Sequence, residues 1–112
     1  MIIENNPLKG IKSELAHLDE ISSKLGFVRG QWEYYRATYD YKISHDGEDY
    51  FLRVDTRSIE GKLEQPYAVL QIGDAFIGRA TFPHGLNYEE PIPAEVLKAA
   101  ETKLKELANV LN

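Results

Sequence analysis

TYDYKISHDGEDYFLRVDT, residues 38–56, is the stretch on which the fold turns. Asp46-Gly47 is a two-residue hairpin turn, because both residues tolerate the positive φ that a tight turn of this kind requires. That turn fixes a register. Ile43 faces Tyr50, Tyr41 faces Leu52 and Tyr39 faces Val54, and all three pairs are apolar or aromatic. On the opposite face Asp40 meets Arg53, a pair of opposite charges, and Lys42 lies beside Phe51. A slip of one residue would send every side chain to the wrong face, so turn chemistry and cross-strand chemistry support the same hairpin.

Working outward toward the N-terminus, QWEYYRATYDYKI (31–43) carries one tryptophan and four tyrosines between Trp32 and Tyr41. Phe27 to Ser44 reads as extended chain, with Gly30 as the place for an interruption. Tyr35, Ala37, Tyr39, Tyr41 and Ile43 share one parity, which makes them the core wall. Trp32 and Tyr34 have the other parity. In an unbroken strand they stand on the polar face with Arg36, Thr38, Asp40 and Lys42, whereas a β-bulge near Gln31 would reverse that.

The remaining elements follow from periodicity. IKSEL (11–15) is a short first strand. HLDEISSKL (17–25) is helical, with Leu18, Ile21 and Leu25 on one face, Asp19 and Glu20 in its first turn, and Gly26 ending it. IEGKLEQP (59–66) is a loop. YAVLQI (67–72) is a buried strand that Gly73 and Asp74 end or bend. FIGRATF (76–82) is a further strand weakened by Gly78, and 83–93 is irregular. Pro93 to Leu111 forms a helix with a broad apolar stripe, roughly 28 Å long. This order specifies an α+β fold. A curved antiparallel sheet of about 4–5 strands carries a short N-terminal helix and a long C-terminal helix on one face.

Composition bounds the function. One domain is expected from 112 residues, and 43% apolar with 28% charged residues is typical of a globular protein. A net charge of −5 repels phosphate backbones, so nucleic acid is not an expected partner. The absence of cysteine excludes disulfides, iron–sulfur clusters and thiol catalysis. No apolar run approaches the ~20 residues that span a bilayer, and the first residues lack the pattern of a secretory signal. The expectation is a cytoplasmic protein with no membrane partner and no cofactor.

LGFVRGQWEYYRATYDYK (25–42), YFLRV (50–54) and FPHGLNYE (82–89) together resemble the YugN-like family of small proteins from Bacillus-type bacteria. The resemblance runs in order from about Leu15 to the C-terminal helix. It implies a curved antiparallel sheet, similar in outline to TBP-like folds. It implies no activity and brings no catalytic residues.

Candidate sites therefore rest on the residues themselves. His84, in a Pro-Gly loop followed by Tyr88 and Glu89, has the chemistry of an acid–base pair, or else of a structural turn. The histidines at 17, 45 and 84 have no metal-ligand spacing, so no metal site is expected. Arg36 falls opposite Arg57. Like charges facing each other call for an anion between them, with Arg53 or Arg29 completing the clamp, or for neutralisation by Glu33 or Asp55. Trp32 and Tyr34 suit a partner surface, and burying that face in a homodimer is economical. The first expectation is a non-enzymatic, homodimeric binding module. The second is a binder of a small anionic ligand, a carboxylate or phosphate, in a pocket between sheet and C-terminal helix. An enzyme using His84 ranks last. The binding residues are thus Trp32, Tyr34, Arg36, Arg57, His84 and Tyr88, with none catalytic.

Overall fold

The computed structural model describes residues 1–81 and 85–111, with residues 31–33 described by their backbone alone. The chain runs β1 (Lys12–Glu14), α1 (Leu15–Lys24), β2 (Val28–Glu33), β3 (Arg36–His45), β4 (Glu48–Glu60), β5 (Val69–Thr81), β6 (Gly85–Asn87) and α2 (Ala94–Leu111). Among the described residues the sheet has six strands, in the order β1-β5-β4-β3-β2, with β6 also pairing with β5. Every pairing is antiparallel. The expected fold is the observed one, with one or two strands more than the residues suggested.

The β3–β4 hairpin has the expected register, from His45 opposite Glu48 at the turn to Arg36 opposite Arg57. Asp46 and Gly47 take φ values of 47° and 77°, the left-handed pair that matches the twist of the flanking strands. The inward faces carry Ala37 and Tyr39 on β3 and Tyr50, Leu52, Val54 and Thr56 on β4.

Among the described residues three bulges curve the sheet. The pairing of β2 with β3 shifts between Gln31 and Glu33. On β5 an extra residue lies between Ile72 and Ala75, and on β4 one lies between Ser58 and Glu60. An extra residue bends its strand and increases the local twist. It also switches parity, so the buried positions of β5 are Leu70 and Ile72 before Gly73-Asp74 and Ala75 and Ile77 after it. Residues 69–81 are thus one bent strand rather than two.

Both helices cover the same face. α1 buries Leu15, Leu18 and Ser22, and α2 buries Val96, Ala100, Leu104, Leu107 and Ala108. α1 begins two residues before its expected start, so Asp19 and Glu20 lie beyond its first turn. Gly26, at φ 93°, ends the helix, and the Phe27 amide donates back to the Ser22 carbonyl at 2.9 Å. That bond satisfies a carbonyl left open at the helix end.

Several expectations are corrected. Phe27 to Ser44 is not one strand, because Tyr34 and Tyr35 form a turn between β2 and β3. Tyr35 is accordingly 52% exposed and leaves the core wall. Residues 85–87 pair with β5 rather than remaining irregular. The N-terminal segment also runs along the outer edge of β5. Ile2 bridges Phe76, Ile3 donates to Ala75, and Gly10 donates to Ile72. This covers backbone groups that an edge strand would otherwise expose. Among the described residues no helix is long and apolar enough to cross a membrane.

Candidate functional site

The space between sheet and helices is packed solid. Leu52, Leu70, Ile77 and Leu104 there have no exposed surface. A concavity of about 1230 Å³ lies on the opposite, helix-free face, whereas the second expectation placed a pocket between sheet and C-terminal helix. Among the described residues, leucine and β-branched side chains pack closely on the helix side, while the bulges fold the open side inward.

The lining of this groove comes from the outward positions of three strands. β3 supplies Arg36 and Thr38, β4 supplies Arg53, Asp55 and Arg57, and β5 supplies Gln71, Gly73, Asp74 and Phe76. Lys9, from the N-terminal segment, and Tyr88, just beyond β6, close its ends. Four cationic side chains therefore face two carboxylates, in a chain whose net charge is −5. Arg53 grips Asp40 with Nε and Nη2 each at 2.9 Å, and Lys9 Nζ lies 3.0 Å from Asp74. The fork-on-fork geometry of the first pair holds Arg53 rigidly.

Arg57 stands opposite Arg36 on β3 and opposite Gln71 on β5. No carboxylate lies within 4.0 Å of Arg57 among the described residues. Two residues along the same strand, Asp55 faces Thr38 across the sheet. On its other side lies the bulge, where an added Gly73 Cβ would meet only the Asp55 carbonyl oxygen, at 3.7 Å. Burial pushes the Asp55 carboxyl above its ordinary value, the Arg53 charge opposes the shift, and Asp74 and Asp40 add to it.

Tyr88 forms the far wall. Its ring packs on Phe76 at a centroid distance of 5.7 Å, and its hydroxyl accepts from Arg53 at 3.4 Å. The ring fits because residue 78 is glycine: a Cβ there would sit 3.0 Å from Tyr88 Cδ1 and 2.9 Å from the Asn87 carbonyl oxygen. Gly78 is therefore a packing device rather than a weakness of the strand. Burial raises the Tyr88 phenol above its ordinary value, which keeps it neutral.

Of the residues singled out from the sequence, the groove gathers Arg36, Arg57 and Tyr88. Tyr34 lies outside it, 56% exposed in the β2–β3 turn, with Lys62 Nζ 5.5 Å from its ring centre. The Trp32 side chain and His84 lie outside the described residues. Arg29 does not join the arginines. It points to the helix side, 3.5 Å from Asp19. Among the described residues no group of three potential ligands is placed to hold a metal ion. Sequence reasoning misses Phe76, Gly73 and Lys9, since their meeting depends on a bulge and on an N-terminal pairing that have no periodic signature.

Comparison with known proteins adds the family. The YugN-like family profile matches residues 4–106. The chain belongs to the YugN-like family. Uncharacterized protein YlbA of Bacillus subtilis is 35% identical over 107 residues, covering 93% of this chain and 89% of that protein. Uncharacterized protein YugN of the same organism is 35% identical over 69 residues, 61% of this chain and 52% of that one. The crystal structure of the uncharacterized conserved protein YugN from Geobacillus kaustophilus superposes with a TM-score of 0.86. It shares 33% identity, over 99% of this chain and 94% of that one. The resemblance seen in 25–42, 50–54 and 82–89 thus extends over most of the molecule. The family relationship carries the α+β fold and no assigned chemistry.

Proposed function

We propose that this YugN-like protein is a non-enzymatic cytoplasmic binding module whose groove takes a small anionic molecule bearing a carboxylate or phosphate. The observation that carries this reading is the opposition of Arg36 and Arg57 at the rim of a positively biased concavity in an acidic protein. The Arg57 guanidinium, with no carboxylate within 4.0 Å among the described residues, can present paired N–H donors to two oxygens of such an anion. The half-exposed setting implies weak to moderate affinity. Isothermal titration calorimetry with inorganic phosphate and with hexanoate tests it. Binding that falls at least fivefold in Arg57→Gln supports the reading, and heats that are absent or unchanged in the variant refute it.

A second reading has its own observation. Tyr34, Tyr35 and Val28 are exposed by 56%, 52% and 72%, on or beside β2, which pairs only with β3 among the described residues. Such an edge favours self-association. Sedimentation across a concentration series, with Tyr34→Asp as the control, distinguishes a homodimer from a monomer.

A further inference from the structure

The row Gly73–Asp55–Thr38 crosses the groove between two rows of larger side chains. On one side stand Arg57 and Arg36, and on the other Arg53, held by Asp40. Glycine and threonine are short, so the Asp55 carboxylate forms the floor of a well rather than part of a surface. It lines the cavity, is partly buried, and receives no hydrogen bond from any described residue. The charges of Arg53 and Arg36 offset only part of the burial that acts on it. Arg53 is turned to Asp40 and Tyr88, and no ion pair joins Asp55 to Arg57.

A half-buried carboxylate with no donor among the described residues takes its hydrogen bonds from solvent or from a ligand. A protein that only captured anions would be better served by a neutral residue here, since Asp55 repels the very charge that Arg57 attracts. The geometry instead suits a molecule with both signs. Resting on the anion-binding reading above, we propose that the groove selects small zwitterions, with the ammonium seated on Asp55 in the well and the acid group on Arg57 and Arg36 at the rim. Positions 55 and 57 are about 7 Å apart along the strand. The two ends of the ligand are thus separated by several bonds, as in ω-amino acids and aminoalkyl phosphates, rather than by the single carbon of an α-amino acid.

The test compares each zwitterion with its amine-free counterpart by calorimetry: 6-aminohexanoate against hexanoate, and O-phosphoethanolamine against ethyl phosphate. The two pairs distinguish a carboxylate from a phosphate acid end. The expected result is that one zwitterion binds wild type about fivefold more tightly than its counterpart, a charge-assisted bond discounted for partial exposure. Asp55→Asn should erase that preference while holding or improving affinity for the plain acid. Gly73→Val, which has space for its Cβ, should fill the well and erase the preference as well. Plain acids that bind as tightly as their amino forms overturn the zwitterion assignment and leave the anion reading standing. No binding of any of the four overturns both.

Discussion

Arg36 and Arg57 occupy directly opposite positions on β3 and β4, on the face of the sheet that carries no helix. Like charges in that relationship destabilise a pair of strands by a fraction of a kilocalorie. Whatever part of that repulsion the other contacts of Arg36 leave uncompensated weakens the unliganded fold. Replacing Arg57 with threonine should raise stability by about 0.5 kcal/mol while abolishing anion binding. Urea denaturation and calorimetry on the same sample check the two halves.

Asp55 gives the corresponding effect in pH. Its carboxyl is raised above its ordinary value by burial, with Arg53 opposing and Asp74, Asp40 and Arg36 also acting on it. A raised acid binds its proton more tightly when folded. Its favourable contribution is complete below the unfolded value and is lost as pH rises through the folded one. Asp55→Asn, neutral throughout, should therefore raise the melting temperature at about pH 7 and have little effect near pH 3. Equal shifts at both values would contradict the assigned cause.

Gly78→Ala probes the far wall. Its Cβ would lie 2.9 Å from a backbone oxygen of Asn87, which cannot rotate away as a side chain can. Overpacking of this kind costs about 1–3 kcal/mol, here with displacement of β6 and of the Tyr88 ring from Phe76. Thermal unfolding measures the first effect. A shift in near-ultraviolet circular dichroism reports the second.

Tyr39 tests the opposite face. Its hydroxyl donates to Asp19 Oδ1 at 2.6 Å, joining β3 to α1, and burial followed by the Asp19 bond holds the phenol above its ordinary value. Tyr39→Phe should cost about 1–2 kcal/mol by leaving the carboxylate without that donor. Ligand affinity should not change, because Tyr39 lies behind the groove rather than in it. An altered affinity would mean that the two faces are coupled.

The hairpin is legible in the sequence because everything that determines it is local. Asp46-Gly47 sets the turn, and the alternation of Tyr39, Tyr41 and Ile43 against Tyr50, Leu52 and Val54 sets the faces. The same parity is enough to place Arg36 opposite Arg57. The Tyr34-Tyr35 turn is hidden, since neither residue carries a turn signal and tyrosine favours strands. The groove itself is also hidden. It depends on an extra residue at Gly73-Asp74, on a second near Ile59, and on Ile2 and Ile3 pairing with residues more than seventy positions away. Bulges respond to how a sheet must curve over its core, which is a property of the assembled fold. The candidate site is thus legible as a pair of arginines and a tyrosine, but not as a cavity.

The most direct test of the anion-binding groove is a two-dimensional ¹H–¹⁵N NMR titration of the wild-type protein with 6-aminohexanoate and, separately, with inorganic phosphate. Binding in the groove should give saturable shifts concentrated at Arg36, Thr38, Asp55, Arg57 and Gly73, on the helix-free face, that disappear in Arg57→Gln. Spectra that do not move, or shifts that cluster on α1, α2 or the β2–β3 turn, would contradict it.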